Sequence, residues 1–394
     1  MFREVKTYGY NDIGIKGSVV SNIEHRAECN VLKGNGKLPI FTAPMTNVVN
    51  ETNYQIFEDN KINAILPRNI SIEDRIFYLK KGMWVGFSAN EFIEFVKNND
   101  SLDYVPHMLI DAANGNMLYI LNACKKAKMK YGKKNIVLMY GNIVNALTYK
   151  KYCEYGIDYC RCSVGTGNGC ITSTQTGIHC GIASLINEAY QYKKEVEHDM
   201  RYGVGNTDYI CVTNIIADGG IRGYADVNKA LALGADYVMI GSLFCQLLES
   251  SAETYYLCND NGSKAFIDVF NDPVDIEKND NETFNLTWKC EDNSTNLGGL
   301  IESCRMTNVK LVKLYYGMAS RRGQMDFYGK KKSTVEGTEK WLPCTSTIES
   351  WSKNMQSYLA SSMSYCGLND VNKFSPENVE TILISENVQQ SINK

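Results

Sequence analysis

Short apolar runs rich in β-branched and aromatic residues recur along the chain. Each is followed by a small or polar residue and then by a longer stretch with helical spacing. That alternation predicts parallel strands joined by helical crossovers. Eight runs have this form: residues 38–43, 62–66, 83–87, 107–112, 136–140, 157–162, 209–217 and 236–240. Helical stretches such as 115–130 and 226–233 lie between them. Eight parallel strands is the count of a (β/α)8 TIM barrel, whereas a doubly wound sheet commonly has about five to seven. The predicted fold is therefore α/β, with the chemistry on the loops that follow the strand C-termini.

Beyond the eighth run the pattern changes. Residues 251–310 turn polar, in runs such as CNDNGSKAF and EKNDNETFNLTWKCEDNSTN, and read as an insertion with local strands. KLVKLYYGMASRRGQ then restores an apolar-to-glycine pattern, GKKKSTVEGTEK resembles a mobile loop, and helical spacing from Ile348 predicts a closing helix. The expected organisation is a single barrel domain over residues 1–394, with the insertion at 251–310 and a flap at 321–335.

Composition narrows the class of partner. The chain has 394 residues, 44% hydrophobic, and a formal net charge of -3, so no bulk electrostatic pull toward nucleic acid follows. The opening MFREVKTYGYNDIGIKGSVV lacks a basic segment followed by an apolar stretch, and about 18 consecutive apolar residues occur nowhere. These features predict a cytoplasmic protein that is neither secreted nor inserted in a membrane. The 14 cysteines are then reduced thiols rather than a disulfide framework, and triplets such as Asn285-Leu-Thr are chance matches to a glycosylation signal.

The residues just past the strands carry the candidate chemistry. After the sixth run comes Ser163-Val-Gly-Thr-Gly-Asn-Gly-Cys-Ile-Thr, whose glycines let backbone groups converge on an ion or phosphate. Cys170 at its tip has the setting of a thiolate nucleophile, and Thr172 can place a hydroxyl beside the same reacting atom. Cys160 and Cys162, inside the run, read as small buried hydrophobes. After the seventh run comes Asp218-Gly219-Gly220, and after the eighth Gly241-Ser242. Loops seven and eight of a barrel commonly hold phosphate, and Asp218 can accept hydrogen bonds from ribose hydroxyls. Asp111 and Asn142 follow the fourth and fifth runs and supply polar groups to the same mouth. Four histidines in no zinc spacing argue against a zinc mechanism. No dinucleotide fingerprint precedes a helix, so a dinucleotide would bind across the barrel mouth.

These motifs, in this order, resemble the IMP dehydrogenase and GMP reductase family. They are the Gly-rich loop ending in Cys170-Ile-Thr172, Asp218-Gly219-Gly220-Ile-Arg, Met239-Ile-Gly241-Ser242, Tyr315-Tyr-Gly317-Met318-Ala-Ser and Glu336-Gly337. Asp111, Gly141-Asn142 and the early Thr42-Ala-Pro-Met45 belong to the same set. The resemblance implies a purine nucleoside monophosphate bound with C2 of its base beside Cys170, and a nicotinamide dinucleotide stacked on that base. Cys170 would form a covalent thioimidate, with Thr172 and Glu336 as the proton relay. Gly219, Gly220, Gly241, Ser242 and Tyr315 would hold the phosphate, Asp218 the ribose, and Gly317 and Met318 the base edge. Asp111 and Asn142 would face the nicotinamide, and the carbonyls of Gly165, Gly167 and Cys170 would hold a monovalent cation such as K+. A homotetramer would be expected. Asn168 stands where the family usually has a phosphate-binding Ser, and Gly169 replaces an apolar residue. The insertion exceeds the family's short excursion, and a subunit contact is one role for it.

Both family branches fit the motifs. In one, IMP is oxidised with NAD and water to XMP; in the other, GMP is reduced with NADPH to IMP and ammonia. The segment 67–84 has no room for the regulatory module of most dehydrogenases, and the short flap RRGQMDFYGKKKSTV lacks the Arg-Tyr pair that activates water. The reading that follows is a GMP reductase-type enzyme, with IMP dehydrogenase as the alternative if Arg321 or Arg322 replaces the missing Arg. A nucleotide-binding protein with weakened catalysis is a further alternative, against which the joint presence of Cys170, Thr172 and Glu336 argues.

Overall fold

The computed structural model describes residues 6–163, 172–205, 208–257, 264–279, 283–291, 301–329, 334–335, 337–385 and 388. All eight expected runs contain a strand, and the eight strands form one parallel sheet. In chain order they are β1 (Ile40–Thr42), β2 (Ile65–Leu66), β3 (Trp84–Phe87), β4 (His107–Asp111), β5 (Val137–Ile143), β6 (Tyr159–Cys162), β7 (Asn214–Asp218) and β8 (Tyr237–Ile240). Each strand from β2 to β7 pairs with the next, and β8 pairs with β1.

The last seam, between β1 and β2, is closed by side chains as much as by backbone. Thr42 N–H donates to Asn63 O at 2.9 Å and Asn63 N–H to Ile40 O at 3.0 Å. Ile65 N–H donates to Thr42 Oγ1 at 2.9 Å, and Asn63 Nδ2 donates to the carbonyls of Leu38 and Ile40. Asn63 pairs with Phe41 as an isolated parallel bridge and adds its side-chain amide to those backbone bonds, while only the last two residues of the run 62–66 are strand. The result is the expected (β/α)8 barrel.

Strand side chains alternate faces, and here one face is the barrel interior. Trp84, Tyr159 and Tyr237 open β3, β6 and β8, and with Phe41 they form an aromatic layer with ring centroids 5.1 to 6.0 Å apart. Leu109, Met139, Ile216 and Met239, two residues further along their strands, belong to the same interior cluster. The intervening Met108, Cys160, Cys162, Ile215 and Val238 face the helices instead, all fully buried. The two cysteines are thus the buried hydrophobes the sequence predicts. The floor of the barrel is sealed with rings and its middle with aliphatic side chains, which leaves the C-terminal ends for polar groups.

Helices Leu118–Tyr131 and Tyr224–Ala232 match the two expected ones within a few residues. After the barrel come β9 (Thr254–Leu257), β10 (Lys264–Ile267), β11 (Val274–Lys278), β12 (Phe284–Glu291), β13 (Ile301–Val309), β14 (Leu311–Tyr316) and β15 (Glu339–Pro343). They form two antiparallel sheets, ordered β10-β9-β14-β15 and β11-β12-β13, around Leu248, Ile267, Phe284, Leu286, Val309 and Leu311. Helix Arg321–Tyr328, capped by Ser320 Oγ, opens the predicted flap. The basic stretch that follows ends inside β15, which borrows β14 as its partner. Helix Ile348–Tyr365 closes the barrel as expected, after which Glu380–Leu383 pairs antiparallel with an early strand, Ile13–Lys16. No helix among the described residues is long and apolar enough to cross a membrane.

Candidate active site

The alternation that fills the barrel also builds its mouth. On β4 the inward series is His107, Leu109, Asp111; on β7 it is Asn214, Ile216, Asp218. Both acids therefore emerge at the C-terminal rim. On β6 the inward position between Cys160 and Cys162 is Arg161, one layer lower and only 7% exposed. Its guanidinium reaches both acids, with Nε 3.0 Å and Nη2 2.9 Å from Asp218 Oδ2 and Nη1 3.2 Å from Asp111 Oδ1. Asn142 Nδ2 donates to the same Asp218 oxygen at 2.6 Å. Arg68, two residues past β2, lies 3.6 Å from Asp111 Oδ2. Burial works against the Arg161 charge, but Asp218 and Asp111 outweigh it and raise its pKa.

The structure thus brings together three residues expected from the sequence, Asp111, Asn142 and Asp218. It adds two that were not, Arg161 and Arg68. The signal for Arg161 is a charge at an inward position of a strand whose neighbours on either side are apolar. Asn142, expected just after the fifth run, is within β5, which extends to Ile143 across a register shift against β6. That approach needs glycine before it: a Cβ on Gly141 would stand 2.5 Å from Arg161 Cβ.

Gly219 and Gly220 follow Asp218 with φ of 92° and 74°, a turn that only glycine adopts without strain. Gly241 lies against the loop after β1, where a Cβ would be 3.1 Å from Met45 Sδ, and Ser242 is half-buried beside it. Tyr315 is buried at the end of β14. Gly317 N–H donates to Thr338 O at 3.1 Å, and its carbonyl accepts from Ser320 N–H at 2.9 Å. Gly323 of the flap helix packs onto Gly317 and Met318 so closely that a Cβ would be 2.6 Å from both carbonyl oxygens. The adjacent Tyr316 places its hydroxyl 3.2 Å from Thr46 Oγ1, and its carbonyl accepts from Asn47 Nδ2 at 2.8 Å. Asn47 Oδ1 and Thr338 Oγ1 are buried there without a partner among the described residues.

Thr172 opens the short helix Thr172–Thr176 and is half-buried. Gly165, Gly167, Asn168, Cys170 and Glu336 lie outside the described residues. The nucleophile, the acid of the relay and the cation loop therefore enter as proposals.

A barrel whose strand ends carry a linked set of acids, amide and guanidinium around a double glycine has its polar groups where barrel enzymes hold substrate. The family model described as "IMP dehydrogenase / GMP reductase domain" matches residues 85–267. A GMP reductase of Staphylococcus epidermidis is 31% identical over 274 residues, covering 64% of this chain and 75% of that protein. A GMP reductase of Lactobacillus acidophilus is 26% identical over 400 residues, 98% of this chain and 97% of that one. An inosine-5'-monophosphate dehydrogenase of Borreliella burgdorferi is 34% identical over 177 residues, 44% of this chain and 40% of that one. The chain belongs to the IMP dehydrogenase / GMP reductase family, a family of oxidoreductases, and stands closer to its GMP reductase members.

Proposed function

We propose that the chain catalyses a GMP reductase-type reaction, the NADPH-dependent conversion of GMP to IMP and ammonia. The likeness to the Lactobacillus acidophilus GMP reductase supports it most directly, because that match runs over 98% of this chain and so takes in the excursion as well as the barrel. In this reading Asp218, oriented by Arg161 and Asn142, receives the ribose hydroxyls. Gly219, Gly220, Gly241, Ser242 and Tyr315 hold the phosphate, with Asn168 in the adjoining loop. Gly317 and Met318 offer backbone groups to the base edge.

Cys170 attacks C2 of the base as a thiolate, forming a C–S bond. Thr172 and Glu336 deliver a proton to the 2-amino group, the C2–N bond breaks, and ammonia leaves a thioimidate. Bound NADPH supplies the hydride that C2 takes up. The C–S bond then breaks, its electron pair returning to Cys170. A nicotinamide carboxamide needs both an acceptor and a donor, and in this reading the part-exposed Asp111 carboxylate and the Asn142 amide, which Arg161 and Asp218 link, would supply them. The same reading carries a homotetramer in the cytoplasm and, for a K+ ion, the carbonyls of Gly165, Gly167 and Cys170.

Oxidation of IMP would require an Arg free to activate water. Of the two candidates, Arg322 is engaged, its guanidinium pairing with Glu253 and stacking on Tyr316 at 5.5 Å and its backbone N–H donating to Glu339 Oε1 at 3.1 Å, whereas Arg321 is exposed and is the residue on which that alternative rests. The test follows reduced-nicotinamide absorbance with GMP plus NADPH and with IMP plus NAD, each with potassium. Loss of signal in the first mixture alone is the expected result. Gain in the second alone would replace the reading with IMP oxidation. Cys170→Ala should abolish turnover while nucleotide still binds, and an active variant would remove the covalent step.

A further inference from the structure

A tyrosine outside every motif noted so far lies against the double glycine. Tyr10 is 4% exposed, and its hydroxyl is buried with no hydrogen-bond partner among the described residues. Its ring borders Gly220, where a Cβ would meet Tyr10 Cε2 at 3.5 Å and Ile182 Cγ2 at 3.6 Å. The segment is fastened from several sides. Tyr8 N–H donates to Ser184 Oγ at 2.9 Å, Ala183 N–H to Tyr8 O at 3.0 Å, and Lys229 Nζ to Tyr10 O at 3.0 Å. An orphaned hydroxyl held this firmly is a standing cost, and such groups call for an explanation.

The surroundings say what is missing. Burial, then the nearby Asp226 and Asp218 carboxylates, push the phenol pKa up, so the hydroxyl keeps its proton and can donate. The two carboxylates are already engaged: Asp226 Oδ2 accepts from Arg222 N–H at 2.8 Å, and Asp218 Oδ2 accepts from Arg161 and Asn142. What the site lacks is an acceptor beside Gly220. We propose that Tyr10 is a substrate-binding residue whose hydroxyl donates a hydrogen bond to the nucleotide's phosphate, an assignment that rests on the reading of Gly219 and Gly220 as part of the phosphate cradle. No described group satisfies the donor, and Gly220, having no side chain, leaves the edge of the ring open to an approaching ligand.

Tyr10→Phe in the full chain separates this role from a packing role. Thermal unfolding is measured without ligand and in titrations with GMP and with guanosine, which lacks the phosphate. The variant should melt at the same temperature or higher without ligand, because it loses an unsatisfied group rather than a bond. Its affinity for GMP should fall about tenfold, the size of one hydrogen bond to a charged group, with guanosine unchanged. In turnover, KM for GMP should rise with kcat unchanged. Undiminished GMP affinity, an equal loss for both ligands, or a lower melting temperature without ligand would each overturn the proposal. Failure of the underlying cradle reading looks different: the unmodified protein would itself bind GMP no more tightly than guanosine.

Discussion

Replacing Arg161 with Met tests whether the mouth is organised by one guanidinium. The substitution removes the charge but keeps the apolar stem that crosses the barrel's middle layer. What remains is Asp218, whose side chain is 15% exposed, and Asp111, 25% exposed, facing one another without a cation between them at Arg161. Removing one partner of a buried pair costs about 3–5 kcal/mol. Water reaching Asp111 moves the expectation to the lower end, about 3 kcal/mol. A double-mutant cycle isolates the contact: Asp218→Asn keeps the shape and one acceptor but drops the charge, so Arg161→Met with Asp218→Asn should cost about 1–2 kcal/mol less than the sum of the singles. The assay is the urea unfolding midpoint for the four proteins, with GMP affinity measured alongside. Arg161→Lys retains charge without the fork that spans both acids, so it should recover stability more than nucleotide binding. A cost below about 1 kcal/mol for Arg161→Met, or additivity in the cycle, would refute the account, since buried and coupled charges cannot behave that way.

Other consequences follow from the same geometry. Glu91 makes a two-pronged pair with Arg75 and accepts from Ser88 N–H; although burial opposes its charge, these contacts lower its pKa from 4.5 to about 2. Its contribution to stability is therefore complete above about pH 4.5 and is lost as pH falls toward about 2, so the deficit of Glu91→Gln at pH 7 should shrink along an acid titration. Thr42→Val leaves the buried Ile65 N–H without its acceptor at the barrel seam and should cost about 1–3 kcal/mol in thermal unfolding, whereas Thr42→Ser keeps the bond and most of the stability. Gly141→Ala drives a Cβ to within 2.7 Å of Arg161 O, a backbone atom; it should destabilise by about 1–3 kcal/mol and reduce GMP turnover more than Tm alone explains, because Arg161 must shift.

The strands were legible because fully buried parallel strands read as continuous apolar runs. Their ends were not. Asn63 pairs with β1 only as an isolated bridge ahead of β2, and Asn142 looks like a loop residue and lies in β5. Asp218 with Gly219 and Gly220 could be read locally, since a double glycine after an apolar run states its own backbone geometry. Arg161 was legible only through alternation, at an inward position between two cysteines that read as buried hydrophobes. Tyr10 carries no local signal at all: the contact that fixes its segment joins Tyr8 to Ser184, 176 residues away. Sequence pattern reports what neighbours along the chain share, and a donor supplied across the fold by a distant strap is not of that kind.

The pairing of Ile13–Lys16 with Glu380–Leu383 sets an order on biosynthesis. Lys16 meets Glu380 across 364 residues, so the strand Ile13–Lys16 waits for Glu380–Leu383 before it has a partner. Loop closure of that length adds little free energy beyond a shorter loop, but it cannot happen until the far strand has left the ribosome. The barrel strands can pair during synthesis, and the contacts of Tyr8 and Tyr10 with Ala183, Ser184 and Lys229 can form with them, whereas Ile13–Lys16 waits for Glu380–Leu383. A nascent chain could thus have its eight barrel strands paired while Ile13–Lys16 still lacks its partner.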